Sequence, residues 1–209
     1  MSDFICDDRY IWESAHAAQQ KNDEEYNAAL REKASRQGRE LWDLLDEDGM
    51  PLGRLHIRGE KLPHGVLHRV VEIFTVNSRG ELLTTLRAPD KMPYPNMWEI
   101  TGGAVAAGED SLDAARRELR EETGLVVEGG EIEFLLTHRG KHALIDIYLA
   151  HKGADIADLT MQAGETAAAK WVTMPAFEAM IAEGLVPEPV CLRYMITREL
   201  LKRELSLPS

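Results

Sequence analysis

Between Gly102 and Leu125 the chain sets a charged, helix-forming stretch between glycine breaks, and that stretch carries Glu118, Glu121 and Glu122. Asp110 or Ser111 offers an N-cap, Leu112, Ala115 and Leu119 recur as a narrow apolar stripe, and Gly124 stands where a left-handed C-cap ends a helix. The segment reads as loop, short helix, loop, docked by one face. The three glutamates occupy positions i, i+3 and i+4, with Cβ atoms about 5–6 Å apart, so their carboxylates converge on one side. Arg117 reaches Glu121 one turn on, yet one guanidinium does not neutralise three carboxylates. A divalent cation relieves the remaining repulsion, and hard oxygen ligands select Mg²⁺ or Mn²⁺ over Zn²⁺. The plain alternative is a solvated acidic face, because like charges at i+4 cost only about 0.2–0.5 kcal/mol.

The wider spacing separates the two readings. Gly103, five residues, Glu109, seven residues, Arg117-Glu118-Leu119, one residue, Glu121-Glu122, one residue, Gly124-Leu125 resembles the signature of the Nudix family at every defined position. The resemblance, convincing over residues 66 to 175, implies an α/β fold: a Nudix-type α/β/α sandwich around a mixed β-sheet. It implies hydrolysis of a diphosphate joined to another group X, usually in a nucleoside diphosphate derivative, by water attack at phosphorus. Carried over by position, it makes Glu118, Glu121 and Glu122 the side-chain ligands of Mg²⁺, with the Gly103 carbonyl a backbone ligand and Mn²⁺ a substitute. Glu109 and Arg117 become the pair that braces the loop against the helix. The general base stays open between Glu118 or Glu122 inside the motif and Glu165 in the Gln162–Thr166 loop outside it.

Composition bounds the rest. A chain of 209 residues, 44% of them hydrophobic, fits one domain with a real core plus an extension, here 1–39 as a helical extension and 40–209 as the Nudix hydrolase domain. Asp and Glu number 36 against 24 Lys and Arg, a formal charge of -12, which opposes nucleic acid or an anionic membrane as partner. An anionic small-molecule diphosphate then needs a cation as intermediary. Cys6 and Cys191 show no paired spacing, so neither a zinc knuckle nor a disulfide framework is read. With no basic leader and no apolar run near the roughly 18 residues that span a bilayer, the expectation is a soluble cytoplasmic protein.

In the extension, Ile11, Ala15 and Ala18 recur at helical spacing, and Asn22 with Glu25 resembles a capping box that opens a second helix ending near Gly38. It has three readings: a cap on the main domain, a homodimer contact, or a partly ordered tail. From residue 40 the pattern predicts hairpins over 41–45 with 52–57 and over 70–76 with 81–86, a proline-enforced loop, strands over 131–139 and 143–150, a strand over 168–172, and helices at 175–183 and 190–205.

For substrate, Arg87, Lys91, Arg139 and Lys141 are candidates for phosphate oxygens, and Tyr94 or Trp98 for stacking on a base, with Trp98 equally placed to be core. Gly140-Lys141-His142-Ala143 lacks the downstream Pro or Tyr by which some Nudix branches mark their substrate. Leu67-His68-Arg69-Val70, Asn77 to Leu83 and Tyr94 to Trp98 also resemble isopentenyl-diphosphate isomerases. Here, however, Glu99-Ile100-Thr101 follows the tryptophan where those enzymes need a cysteine, and His64 and His68 match their metal histidines only loosely. Isomerisation is thus the alternative activity, and a non-catalytic nucleotide-binding module the third reading.

Overall fold

Residues 8 to 37 contain no Gly or Pro, so nothing in the backbone chemistry interrupts a helix there. In the computed structural model, which describes residues 8–206 and the side chains of 22–205, they form one helix, α1 (Asp8–Gln37). The second start expected at Asn22 does not occur: a cap competes with the continuing i→i−4 ladder only where something else breaks it. The helix ends at Gly38, which takes a positive φ of 60°. Cys6, with the rest of residues 1–7, lies outside the described residues.

Among the described residues the chain forms two compact units, one running through His68 and taking in Ala106–Gly108, the other comprising Arg69–Val105 and the chain from Glu109 on. In the first, β1 (Leu41–Leu45) and β2 (Pro51–Ile57) pair as the expected antiparallel hairpin. The Asp46 carboxylate fixes its turn by accepting from the Asp48 and Met50 amides at 2.9 and 2.8 Å. Buried Asn27 of α1 donates to the Gly53 carbonyl at 2.7 Å and accepts from the Leu55 amide at 2.9 Å, so one side-chain amide satisfies the edge of β2.

The second unit is built on a seven-stranded sheet: β3 (His68–Val76), β4 (Leu82–Arg87), β5 (Trp98–Glu99), β6 (Thr101–Ala104), β7 (Ile132–Arg139), β8 (Ala143–His151) and β9 (Thr166–Val172). The main path runs β5-β4-β3-β8-β7, with β6 on β3 and β9 on β4. Strands β3 and β4 meet at Val76 and Leu82; farther along, Trp98–Ala104 pairs first with β4 and then with β3. The sequence reading placed Gly102 and Gly103 in a loop, because glycine is depleted in strands. Here close backbone approach requires it: a Cβ at Gly102 would stand 2.6 Å from the Val71 carbonyl oxygen.

Alternation along β3 divides the core. Phe74 and Val76 face α3 (Met174–Ala182) and α4 (Glu188–Ser206), packing with Phe177, Tyr194 and Leu201. Val71 and Ile73 face α2 (Ser111–Thr123), packing with Ala114, Ala115 and Leu119. Helices therefore cover both faces of the sheet. No helix among the described residues is long and apolar enough to cross a membrane.

Candidate active site

Helix α2 starts and stops as its sequence predicts. The Asp110 side chain accepts from the Leu112 amide at 2.8 Å, and Gly124 closes the helix with φ 77°. Along it the three glutamates occupy different environments: Glu121 is exposed, Glu118 half-buried, and Glu122 only 8% exposed.

Arg117 is the hub of the motif. Its Nε and Nη2 donate to the two carboxylate oxygens of Glu109, both at 2.8 Å, and Nη2 also reaches the Ala104 carbonyl at 3.1 Å. Its Nη1 donates to Glu118 at 2.8 Å and to Glu121 at 3.3 Å. These bonds push the guanidinium pKa up, the Glu109 pair contributing most. The bracing geometry expected of Glu109 and Arg117 is present, and it ties the loop ahead of α2 to the middle of the helix and to the end of β6. Gly103 fits the same construction, because any Cβ there would overlap the Glu118 carboxylate.

Glu122 has no such partner. Its Oε2 is buried without a hydrogen bond, and its pKa stands well above the usual carboxylate value, from burial first and then from the Glu99, Glu118 and Glu165 carboxylates, with Lys91 opposing. A buried, unpaired carboxylate facing other carboxylates is costly unless a cation or proton compensates it. No three described acidic, cysteine or histidine side chains already form a closed ligand set. The fit to a divalent cation rests instead on the orphaned oxygen and the all-oxygen donor chemistry around it.

Glu99 is the residue that sequence reading missed. It lies on β5 between the core side chains Trp98 and Ile100, and that alternation was the available signal. Arg87 Nη1 donates to both of its oxygens, at 2.8 and 3.0 Å, and Arg87 Nε to the Pro93 carbonyl at 3.0 Å. Burial nevertheless raises the Glu99 pKa, against the pull of Arg87 and Lys91. Glu165 forms an ion pair with Lys91, and the Glu165 carbonyl accepts from the Ala88 amide at 2.8 Å. Five expected residues, Glu118, Glu122, Glu165, Arg87 and Lys91, thus gather with Glu99.

Others do not. Arg139 is exposed at the end of β7, the edge of the main path opposite β5. Lys141 is exposed in the turn that follows. Trp98 packs on the apolar core and carries Lys170 Nζ over its ring at 3.9 Å, so that face is covered. His68 stacks on Trp42 with centroids 4.0 Å apart, and His64 is exposed. Cys191 is half-buried, its thiol donating to the Val186 carbonyl at 3.4 Å.

Comparisons with known proteins bear on the family and the fold. The NUDIX domain model matches residues 66–188. An uncharacterized Nudix hydrolase of Listeria monocytogenes is 36% identical over 146 residues, 69% of this chain and 86% of that protein. An isopentenyl-diphosphate Delta-isomerase of Pectobacterium atrosepticum is 34% identical over 123 residues, 55% of this chain and 65% of that one. A crystal structure from Deinococcus radiodurans superposes with a TM-score of 0.63 at 26% identity, covering 78% of this chain and 98% of the other. The chain belongs to the NUDIX domain family, as a hydrolase acting on diphosphate bonds.

Proposed function

We propose that the chain is a Mg²⁺-dependent hydrolase that cleaves the diphosphate linkage of a nucleoside diphosphate-linked or related small molecule. The observation that carries this reading is the buried, unpartnered Oε2 of Glu122 among the carboxylates of Glu99, Glu118 and Glu165. Glu118, Glu121, Glu122 and the Gly103 carbonyl would hold the cation. When bound, it supplies charge neutralisation to the diphosphate and acidifies a water. Mn²⁺, with the same oxygen preference, is expected to substitute.

The side chains have separable tasks. Arg117 holds Glu118 beside Gly103 and keeps Glu109 against the helix. Glu165, ion-paired with Lys91, is the candidate proton acceptor outside the motif, and Glu118 or Glu122 the candidates inside it. Arg87 acts by holding Glu99, whereas the Lys91 ammonium, paired with Glu165, has further N–H donors to offer a phosphate oxygen. Arg139 and Trp98 have no assigned role in this reading.

The test incubates the pure protein with Mg²⁺ and a panel of nucleotide sugars, dinucleotides, nucleoside triphosphates and isoprenyl diphosphates, with Glu122→Gln as control, and reads products by mass spectrometry. Monophosphate-bearing products that need both Mg²⁺ and Glu122 are expected. Conversion of isopentenyl diphosphate to its isomer, resolved chromatographically, would overturn the reading in favour of isomerase chemistry. Ligand binding without turnover of any compound would overturn it in favour of a nucleotide-binding module.

A further inference from the structure

Asp146 stands in the middle of β8, in the otherwise apolar run Leu144 to Ala150 broken only there by a charge, and it is 3% exposed. A lone charge in a buried strand persists only where its hydrogen bonds are made. Both oxygens are engaged here. Arg69 Nη1 donates to Oδ2 at 2.7 Å, the Ser111 hydroxyl donates to Oδ2 at 2.6 Å, and the Thr137 hydroxyl donates to Oδ1 at 2.6 Å. The Tyr148 hydroxyl in turn donates to Ser111 Oγ at 2.9 Å. One buried carboxylate thereby joins β3, β7, β8 and the first residue of α2.

The place of Ser111 on the helix gives this network its consequence. At 100° per residue, Glu118 lies seven residues on and Glu122 eleven residues on, each within about 20° of the Ser111 direction. The residue pinned to Asp146 therefore shares its stripe with the two inward glutamates. The apolar part of that face is a weak guard against rolling, since two of its buried side chains, Ala114 and Ala115, are single methyl groups. A roll of about 20° would carry a carboxylate, roughly 6 Å from the helix axis, sideways by about 2 Å. Ligand and nucleophile positions tolerate far less than that.

We infer that Asp146, acting through Ser111, is a positioning residue: it sets the rotational register of α2 and so the placement of Glu118 and Glu122 toward a divalent cation. This rests on the metal-site reading above. Other polar contacts fix the helix elsewhere. Arg117 fixes its middle, and the Thr160 amide donating to the Thr123 carbonyl at 3.0 Å fixes its end. Among the described residues, only the Ser111 contact reaches the sheet from the start of the helix on the glutamate stripe.

The cleanest cut is Ser111→Ala, which leaves the Asp110 cap and the Arg69 and Thr137 bonds in place. Mn²⁺ alone is titrated into the full chain and followed by electron paramagnetic resonance, with Tm measured alongside, for wild type, Ser111→Ala, Asp146→Asn, their double variant, and Glu122→Gln. The expected result is Mn²⁺ binding about tenfold weaker in Ser111→Ala, with Tm within about 3 °C of wild type, and no further loss when Ser111→Ala is added to Asp146→Asn. Wild-type affinity in Ser111→Ala, while Glu122→Gln loses the site, would overturn the inference alone. So would losses that add in full, since Ser111 and Asp146 would then not act as one unit. Equal Mn²⁺ binding by wild type and Glu122→Gln would overturn the metal site and this inference with it.

Discussion

The two faces of the seven-stranded sheet are held by shape and by directional bonds in different proportions. Against α3 and α4 the sheet buries Phe74, Phe177, Tyr194 and Leu201, large side chains whose interdigitation fixes the helices, joined by one buried ion pair in which Arg193 of α4 donates to Glu72 of β3 at 2.5 Å. Against α2 it buries Ala114, Ala115 and Leu119, and polar contacts carry more of the positioning: Ser111 at the start, Arg117 in the middle and the Thr123 carbonyl at the end. The contrast follows from the work each face does. A helix that presents carboxylates at one edge of its buried stripe has little room there for bulky apolar groups, so directional bonds replace shape as the source of precision.

Substitutions on the two faces should therefore separate activity from stability. On the α2 face, Glu118→Gln or Glu122→Gln is expected to lower Mg²⁺-dependent turnover by about a hundredfold or more while leaving the fold intact by circular dichroism. Wild-type-like turnover in both variants would break the assignment. On the opposite face, Phe177→Ala is expected to cost about 3–5 kcal/mol of stability in a denaturant titration, with kcat of the folded fraction unchanged. A comparable loss of kcat would show that the two faces are not independent. Arg117→Lys keeps the charge but not the fork that grips both Glu109 oxygens, and is expected to reduce kcat about tenfold with little change in KM.

The pH dependence sharpens the same contrast. Because the folded pKa of Glu122 lies above its unfolded value near 4.5, the unfolded chain releases that proton first as pH rises, and this group's contribution to stability falls between the two values. In chelator, Glu122→Gln is thus expected to melt a few degrees above wild type at pH 8, with the gap closing as pH falls toward 4.5, as scanning calorimetry would read. The smallest effect is expected from Arg139→Ala, at the far edge of the main strand path: turnover within about twofold of wild type.

Much of this organisation was legible beforehand because local chemistry dictated it. The cap at Asp110, the left-handed Gly124 and the apolar stripe of α2 are properties of a dozen consecutive residues, and the strands around Val71 and Ile145 follow from β-branched alternation. What escaped depends on distant partners. Gly102 and Gly103 enter a strand because Val71 and Glu118 leave no room for a side chain, which no local propensity encodes. Glu99 joins the carboxylate group through the parting of β3 and β4, and Asp146 meets Ser111 across 35 positions of sequence. Asn22 misled for the complementary reason, a local cap signal with no break in the chain to act upon.

If a divalent cation completes the buried, unpaired carboxylate of Glu122, it stabilises the folded chain through that residue. The most direct measurement is thermal unfolding of wild type and Glu122→Gln at pH 8, in chelator and in saturating Mg²⁺. A clear rise in Tm with Mg²⁺ is expected for wild type and little or none for Glu122→Gln, because the substitution removes a ligand from the site that binds the folded state selectively. Equal rises in the two proteins, or no rise in either, would contradict it.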